Sequence, residues 1–292
     1  MTTNETKKNS FPFIFFGAGE IAVGALVEME KAGLLPALAV TAPDRPAGRG
    51  RILTPSPVAQ WAEARTIETM KPEKIDEFFL QELLTKKNAL EAKVFLVIDY
   101  GKILPKRLLD MPEKGIVNMH PSLLPRLRGP SPIRSAILTD ERNTGVTLML
   151  LDEKMDHGPI LAQKKVSIPE WPPRGRELDE ILSSEGGKLV AEVLPLWLRG
   201  EIEAHEQSHD VATYCKIFLK EDGLLDLSDD PYKNLLKIRA FDGWPGTYTF
   251  FEKNGKKVRT QILDAHIANG KLVISLVKPE GKKEMSFADF MR

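Results

Sequence analysis

The 292-residue chain holds one cysteine, Cys215, and that scarcity removes several protein classes at once. A lone thiol closes no intramolecular disulfide and builds no cysteine-based zinc site, and it fits a reducing compartment. Cys215 is expected to be a small core residue. Long apolar runs are also missing: none approaches the roughly 18 residues needed to cross a bilayer, and none follows the polar start MTTNETKKNSF. A cytoplasmic protein is expected, with residues 1–10 as a disordered tail. Net charge is absent as well, because 41 Lys and Arg face 41 Asp and Glu. Any surface for a polyanion must therefore come from uneven distribution of charge. No internal repeat or low-complexity tract breaks the chain. What remains, 42% hydrophobic and 28% charged residues, is ordinary globular composition at a length suited to two domains.

The first 200 residues alternate short apolar runs with amphipathic stretches, which predicts a sheet whose strands are joined by helices. Strands are expected over residues 11–16, 36–41, 94–100, 116–119 and 146–151. Several alternate too little to have a wet face, so the sheet should be largely parallel. Residues 21–32, 57–64, 75–84 and 133–138 carry apolar positions at helical spacing. Ser131 and Pro132 read as an N-cap and first-turn pair. Residues 161–168 suggest an antiparallel edge strand, and 178–198 a helix. After a polar stretch, EIEAHEQSHD, the pattern becomes short alternating strands with Asn-Gly turns at 254–255 and 269–270, a small all-β unit.

Three motifs could carry chemistry. GAGEIA, residues 17–22, fits the permissive dinucleotide fingerprint between a strand and a helix. No acidic residue closes the second strand, however, so a tight strand-to-helix turn is a better account of it than a nicotinamide site. His205-Glu206-Gln207-Ser208-His209 spells the HExxH zinc pattern, but a helix is needed to bring both histidines to one metal, and this pentapeptide lies in a polar linker. The third is GIVNMHPSLLPRLRGPSPI, residues 115–133. A strand period of two puts Asn118 and His120 on one face, about 7 Å apart, at a strand's carboxyl end, and Pro121 then stops the ladder. Ligands of open α/β sheets lie at such ends. A loop cap, with both side chains satisfying backbone groups, is the alternative reading.

Residues 117–133, VNMHPSLLPRLRGPSPI, resemble the signature loop of the 10-formyltetrahydrofolate-dependent formyltransferases. PDRPAGRG at 43–50, the following TPSPV, and FDGWPGTY at 241–248 are similar to patterns of those members whose acceptor is initiator methionyl-tRNA, and the similarity runs from about Phe11 to the C-terminus. The resemblance implies an α/β fold, a Rossmann-like formyltransferase domain with a mostly parallel sheet over residues 11–200. A linker over 201–211 and a C-terminal OB-like β-barrel domain that binds tRNA over 212–292 would follow. It implies a catalytic trio of Asn118, His120 and Asp156, and a folate-binding loop of Ser122, Leu123, Leu124 and Pro125. It implies contacts from Arg45, Arg49 and Arg51 to the tRNA acceptor stem. The co-substrate would be 10-formyltetrahydrofolate, without a metal or NAD, and a monomer is expected. The chemistry suits those residues. An amine attacking a formyl carbon makes a tetrahedral oxyanion, which needs positioned donors and a route for a proton. Two positions depart from the resembled pattern: Asp99 replaces a small neutral residue, and the turn at 17–19 replaces a Thr-Pro variant.

From Pro231 onward twelve Lys and Arg face six acids. A neutral chain with one basic end fits RNA backbone binding. Trp244 could stack on a base or pack at a corner. A formyltransferase for another amine, a non-catalytic homologue that binds folate or tRNA, and a nicotinamide oxidoreductase using the Gly17 turn are the remaining alternatives.

Overall fold

Four consecutive apolar residues, Phe13 to Phe16, leave no face for water. In the computed structural model, which describes residues 11–48, 50–253 and 255–292, they form the fully buried strand β1 (Phe13–Phe16). The chain continues through α1 (Glu20–Lys31), β2 (Leu38–Val40), β3 (Arg45–Ala47), β4 (Ile52–Thr54), α2 (Pro57–Glu63), β5 (Thr69–Met70), α3 (Glu77–Leu90) and β6 (Val94–Val97). Next come α4 (Lys106–Leu109), β7 (Ile116–His120), α5 (Pro132–Leu138), β8 (Thr144–Leu150), β9 (Ile160–Val166) and α6 (Gly175–Arg199). The last elements are α7 (Pro231–Ala240), β10 (Thr247–Lys253), β11 (Lys256–Ala268), β12 (Lys271–Pro279), β13 (Met285–Ser286) and α8 (Phe287–Met291). The tail expected over residues 1–10 lies outside the described residues.

Two compact units result. One contains the described residues up to Arg126, with Gly145–Val166 and Glu180–Ala212; the other contains Leu127–Thr144, Ser167–Asp179 and Thr213–Arg292. In the first, a seven-stranded sheet runs β5-β2-β1-β6-β7-β8-β9. Strands β5, β2, β1, β6 and β7 are parallel and β8 is antiparallel to β7. The mostly parallel sheet and the edge place of β9 follow the sequence pattern. Leu38, Val40, Phe79, Leu83 and Phe95 pack with Ile14 and Phe16 as its core. Asp76 caps α3 by accepting from the Phe79 N–H at 3.1 Å, and the helix ends at Glu91, whose φ is 54°. Helix α6 comes close through two glycines. A Cβ on Gly186 would lie 2.1 Å from Met119 Sδ in β7, and one on Gly187 2.3 Å from the Ala25 carbonyl in α1. A larger residue at 187 would push α6 off the α1 backbone, and one at 186 would need the Met119 side chain to move.

The second unit holds the antiparallel sheet β10-β11-β12-β13. Asn269 (φ 50°) and Gly270 (φ 71°) make the two-residue turn between β11 and β12 that their sequence calls for. Asn254, in the other expected turn, lies outside the described residues. Helices α7 and α8 accompany the sheet, which the alternating-strand reading omits. Asp230 caps α7 by accepting from the Lys233 N–H at 2.9 Å, Pro231 opens it, and Leu235, Leu236 and Ile238 are buried.

Helix α5 belongs to this unit and packs on α7. Ser131 stands at its N-cap position but makes no side-chain cap bond; its N–H instead donates to Cys215 Sγ at 3.2 Å. Cys215 is half-buried rather than a core residue, because its backbone pairs with the Arg128 carbonyl at 2.8 Å along an extended segment.

Candidate functional site

Strand β7 gains its position from both neighbours: Val97 of β6 pairs with Asn118 in parallel register, and Thr147 of β8 pairs with His120 in antiparallel register. Asn118 is half-buried, and His120 is only 4% exposed. The loop after β8 brings Asp156 to the same place, with its Oδ2 3.7 Å from His120 Nδ1. That is ion-pair range but longer than a direct hydrogen bond, so a small closure separates contact from gap. Asp156 has a left-handed backbone (φ 47°), a conformation Asp tolerates better than most residues. A Cβ on Gly158 would fall 2.1 Å from the Leu150 carbonyl, so the loop turns hard against the end of β8.

The loop of Ser122, Leu123, Leu124 and Pro125 is bonded from beneath. Thr147 Oγ1 donates to the Ser122 carbonyl at 2.6 Å, and accepts from the Leu124 N–H at 3.1 Å and from Gln163 Nε2 at 2.9 Å. Gln163 Nε2 also donates to the Leu124 carbonyl at 2.7 Å. Ser122 is buried and its hydroxyl donates to the Arg126 carbonyl at 2.7 Å, so it closes the loop on itself. Leu124 is buried, Leu123 and Pro125 are partly exposed, and the Leu124–Pro125 peptide is cis.

A cleft of about 400 Å³ opens where the turns after β1, β2 and β6 meet, lined by Gly19, Pro43, Arg45, Ser56, Asp99 and Tyr100 among others. The GAGEIA turn is fitted to its surroundings. The Gly17 N–H donates to the Val40 carbonyl at 3.1 Å, and a Cβ on Gly19 would meet Asp99 Oδ2 at 2.1 Å. An acidic residue does face this turn, but it arrives from the end of β6 rather than β2. The Tyr100 hydroxyl is buried without a hydrogen-bond partner among the described residues, and burial pushes its pKa up to about 12.

The arginine-rich loop is a β3–β4 hairpin rather than irregular chain. Arg45 pairs with Glu73 at 2.6 Å, with both side chains largely exposed. Arg51 is exposed with φ 48°, and Arg49 lies outside the described residues.

The HExxH pentapeptide is not helical. His205 forms an antiparallel bridge with Ile160, Glu206 to Ser208 are irregular, and His209 opens a 3₁₀ turn, so the zinc geometry is not built. Instead, buried Gln207 donates to the carbonyls of Asp156 and Gly158 at 3.0 and 2.8 Å. Thr147, Gln163 and Gln207 are the site residues that sequence reasoning misses. A polar residue inside an apolar strand, as in VTLML, is the available signal for Thr147; Gln163 begins the polar run Gln-Lys-Lys of β9 and offers none.

A model of the formyl transferase family matches residues 12–193. The methionyl-tRNA formyltransferase of Chloroflexus aurantiacus is 43% identical over 256 residues, 88% of this chain and 80% of the relative. That of Thermodesulfovibrio yellowstonii is 34% identical over 296 residues, 95% of this chain and 94% of the relative. The solved methionyl-tRNA formyltransferase of Clostridium thermocellum shares the fold, with a TM-score of 0.60 at 18% identity over 92% of this chain and 98% of its own. With the family match across residues 12–193 and 43% identity over 88% of its length, the chain belongs to the formyl transferase family.

Proposed function

We propose that the protein transfers the formyl group of 10-formyltetrahydrofolate to the free amine of initiator methionyl-tRNA, giving N-formylmethionyl-tRNA for translation initiation. The observation that carries this reading is the approach of Asp156 to His120 at 3.7 Å, at the end of the strand that leads into the 122–125 loop. Relatives named methionyl-tRNA formyltransferase that align over 95% of the chain support the choice of acceptor.

An α-amine titrates at roughly 8, so a useful fraction of the acceptor is neutral near physiological pH. Its nitrogen attacks the formyl carbon, forming the new C–N bond. The carbonyl oxygen takes up negative charge, which the Asn118 amide and the His120 imidazole stabilise by donating hydrogen bonds. Asp156 accepts the proton that the attacking nitrogen must lose, through a water. Collapse of the intermediate then breaks the bond to the folate N10, which takes up the proton that Asp156 has accepted and leaves as the neutral amine. No hydride moves, so a nicotinamide has no part, and no step is assigned to a metal.

Leu123, Leu124 and Pro125 would form an apolar wall for the folate, with Ser122 holding their loop. Its bonding through Thr147 lowers the ordering cost of binding. Arg45, Arg49 and Arg51 would contact acceptor-stem phosphates, and the basic segment after Pro231 would follow the RNA backbone. In this division residues 11–200 perform the chemistry, 201–211 link, and 212–292 bind tRNA as an OB-like domain. The protein is expected to act as a monomer in the cytoplasm; no helix among the described residues is long and apolar enough to cross a membrane.

The test is to incubate purified protein with the folate donor and charged initiator tRNA, then weigh the released aminoacyl group. Folded protein that yields no formylmethionine overturns the proposal. Asn118→Ala, His120→Ala and Asp156→Asn should each lower kcat by about 10² to 10⁴ while tRNA binding persists. Loss of tRNA binding instead would reassign those residues.

A further inference from the structure

We infer that Gln207 is a positioning residue for the formyl-transfer centre: its side-chain amide holds the loop that presents Asp156 to His120. The inference rests on the role proposed above for Asp156. Between β8 and β9 the chain must reverse, and it does so through the left-handed residue Asp156. The direction of the Asp156 side chain follows the peptide planes on either side of its Cα, and Gln207 bonds the carbonyl of the second of these and that of Gly158 beyond it. Its Nε2 reaches the Asp156 carbonyl at 3.0 Å and the Gly158 carbonyl at 2.8 Å, which bracket His157. Only a group with two N–H bonds on one atom can serve both, as the amide of Gln does and a carboxylate cannot. The residue is 5% exposed, so water does not replace the bonds if they are lost.

The segment around Gln207 is itself registered against the same loop. On one side, His205 exchanges backbone bonds with Ile160 at 2.7 and 2.8 Å. On the other, the His209 ring stacks on His157 with centroids 4.0 Å apart and planes 3° from parallel, and His157 Nδ1 pairs with Asp152 Oδ2 at 2.6 Å. The pentapeptide that spells a zinc motif is thus a strap across the Asp156 loop, with Gln207 as its buried contact. Asp156 is the group that takes the amine's proton, so a shift of about 1 Å in its loop misplaces the acceptor, and misplacements of that size cost about 10²-fold in rate.

Steady-state kinetics on the full chain test this with Gln207→Met, which keeps the length without a donor, and with Gln207→Ala in case either variant folds poorly. Both should lower kcat about 10- to 100-fold, with KM for folate donor and tRNA changed no more than about threefold. In the double variant with Asp156→Asn, Gln207→Met should add nothing to the loss from Asp156→Asn alone, because it acts through that residue. His209→Ala, which loosens the strap but leaves the donor, should keep most of the turnover. Equal loss in His209→Ala would mean that general loosening explains the effect, and the inference falls. It also falls if Gln207→Met keeps its kcat, or if its loss multiplies with that of Asp156→Asn. Full turnover in Asp156→Asn would instead overturn the proposed role of Asp156 itself.

Discussion

The loop after β7 and the β3–β4 hairpin both rise from strand ends of the same unit, yet they are built on opposite terms. In the first, Ser122 is 2% exposed, Leu124 3% and Thr147 0%, and side-chain bonds from β8 and β9 reach its backbone. In the second, Arg45 is two-thirds exposed, its ion pair lies in solvent, and Ile52 and Leu53 are 72% and 64% exposed. The difference separates two ways of binding. A small rigid ligand gains from a surface whose ordering cost has been met during folding. A polyanion gains from mobile guanidinium groups that meet phosphates wherever they fall. Under the proposed function, the first loop suits the folate and the hairpin suits the RNA.

Three substitutions probe that contrast. Thr147→Val keeps shape but strips the hydroxyl from three partners; Gln163 keeps its bond to the Leu124 carbonyl, while the Ser122 carbonyl and the Leu124 N–H lose theirs at a cost of about 1–3 kcal/mol each at most. It should raise KM for the folate donor about tenfold and lower the melting temperature, with KM for tRNA nearly unchanged. A normal donor KM and melting temperature would show that the loop needs no support. Arg45→Ala should do the reverse. The tRNA KM should rise a few-fold, and the slope of log affinity against log salt should flatten by about 0.7 to 0.9 for the lost phosphate. The melting temperature should hold, because an exposed ion pair contributes about 0–1 kcal/mol. An unchanged salt slope would remove Arg45 from the RNA interface. The smallest effect concerns acid. Hydrogen bonds from Lys164 of β9 and from Lys188 hold Glu185 below its ordinary value of 4.5. Its stabilisation is present above the unfolded-state value and is lost as pH falls through the folded one. Glu185→Gln should therefore give a shallower fall in stability below about pH 4.5, read by chemical denaturation across pH. Identical acid limbs would show that this pair does not help hold β9, which carries Gln163.

The sheet could be read from local pattern because its strands advertise themselves: Phe13 to Phe16 and Val94 to Val97 are unbroken apolar runs with no other use. Asn118 and His120 were visible for a related reason, since strand periodicity alone puts them on one face. The β3–β4 hairpin was not visible, because its strands are three residues each and contain Pro46 and Arg45 in place of alternating apolar residues. Nor was α7, a ten-residue helix whose clearest signs are Asp230 and Pro231 at its start. The supporting side chains were hidden by distance along the chain. Thr147 serves Ser122 from 25 residues away and Gln207 serves Asp156 from 51, and no periodicity links such positions. Cys215 and Ser131 show the same limit at close range: both were assigned by residue type, and both are fixed by a contact across 84 residues.

The meeting of Gly19 with Asp99 turns two apparent peculiarities of this chain into one. Read separately, an acidic residue at the end of β6 and a glycine turn after β1 are unrelated changes from the family's usual letters. In space the carboxylate occupies the volume where a side chain at 19 would begin, 2.1 Å from its first carbon. Position 19 cannot change without consequence: a proline or threonine there displaces the Asp99 carboxylate from its berth unless a smaller residue stands at 99. Position 19 is therefore a dial on the cleft, able to re-aim a negative charge by a change one strand away from the charge itself.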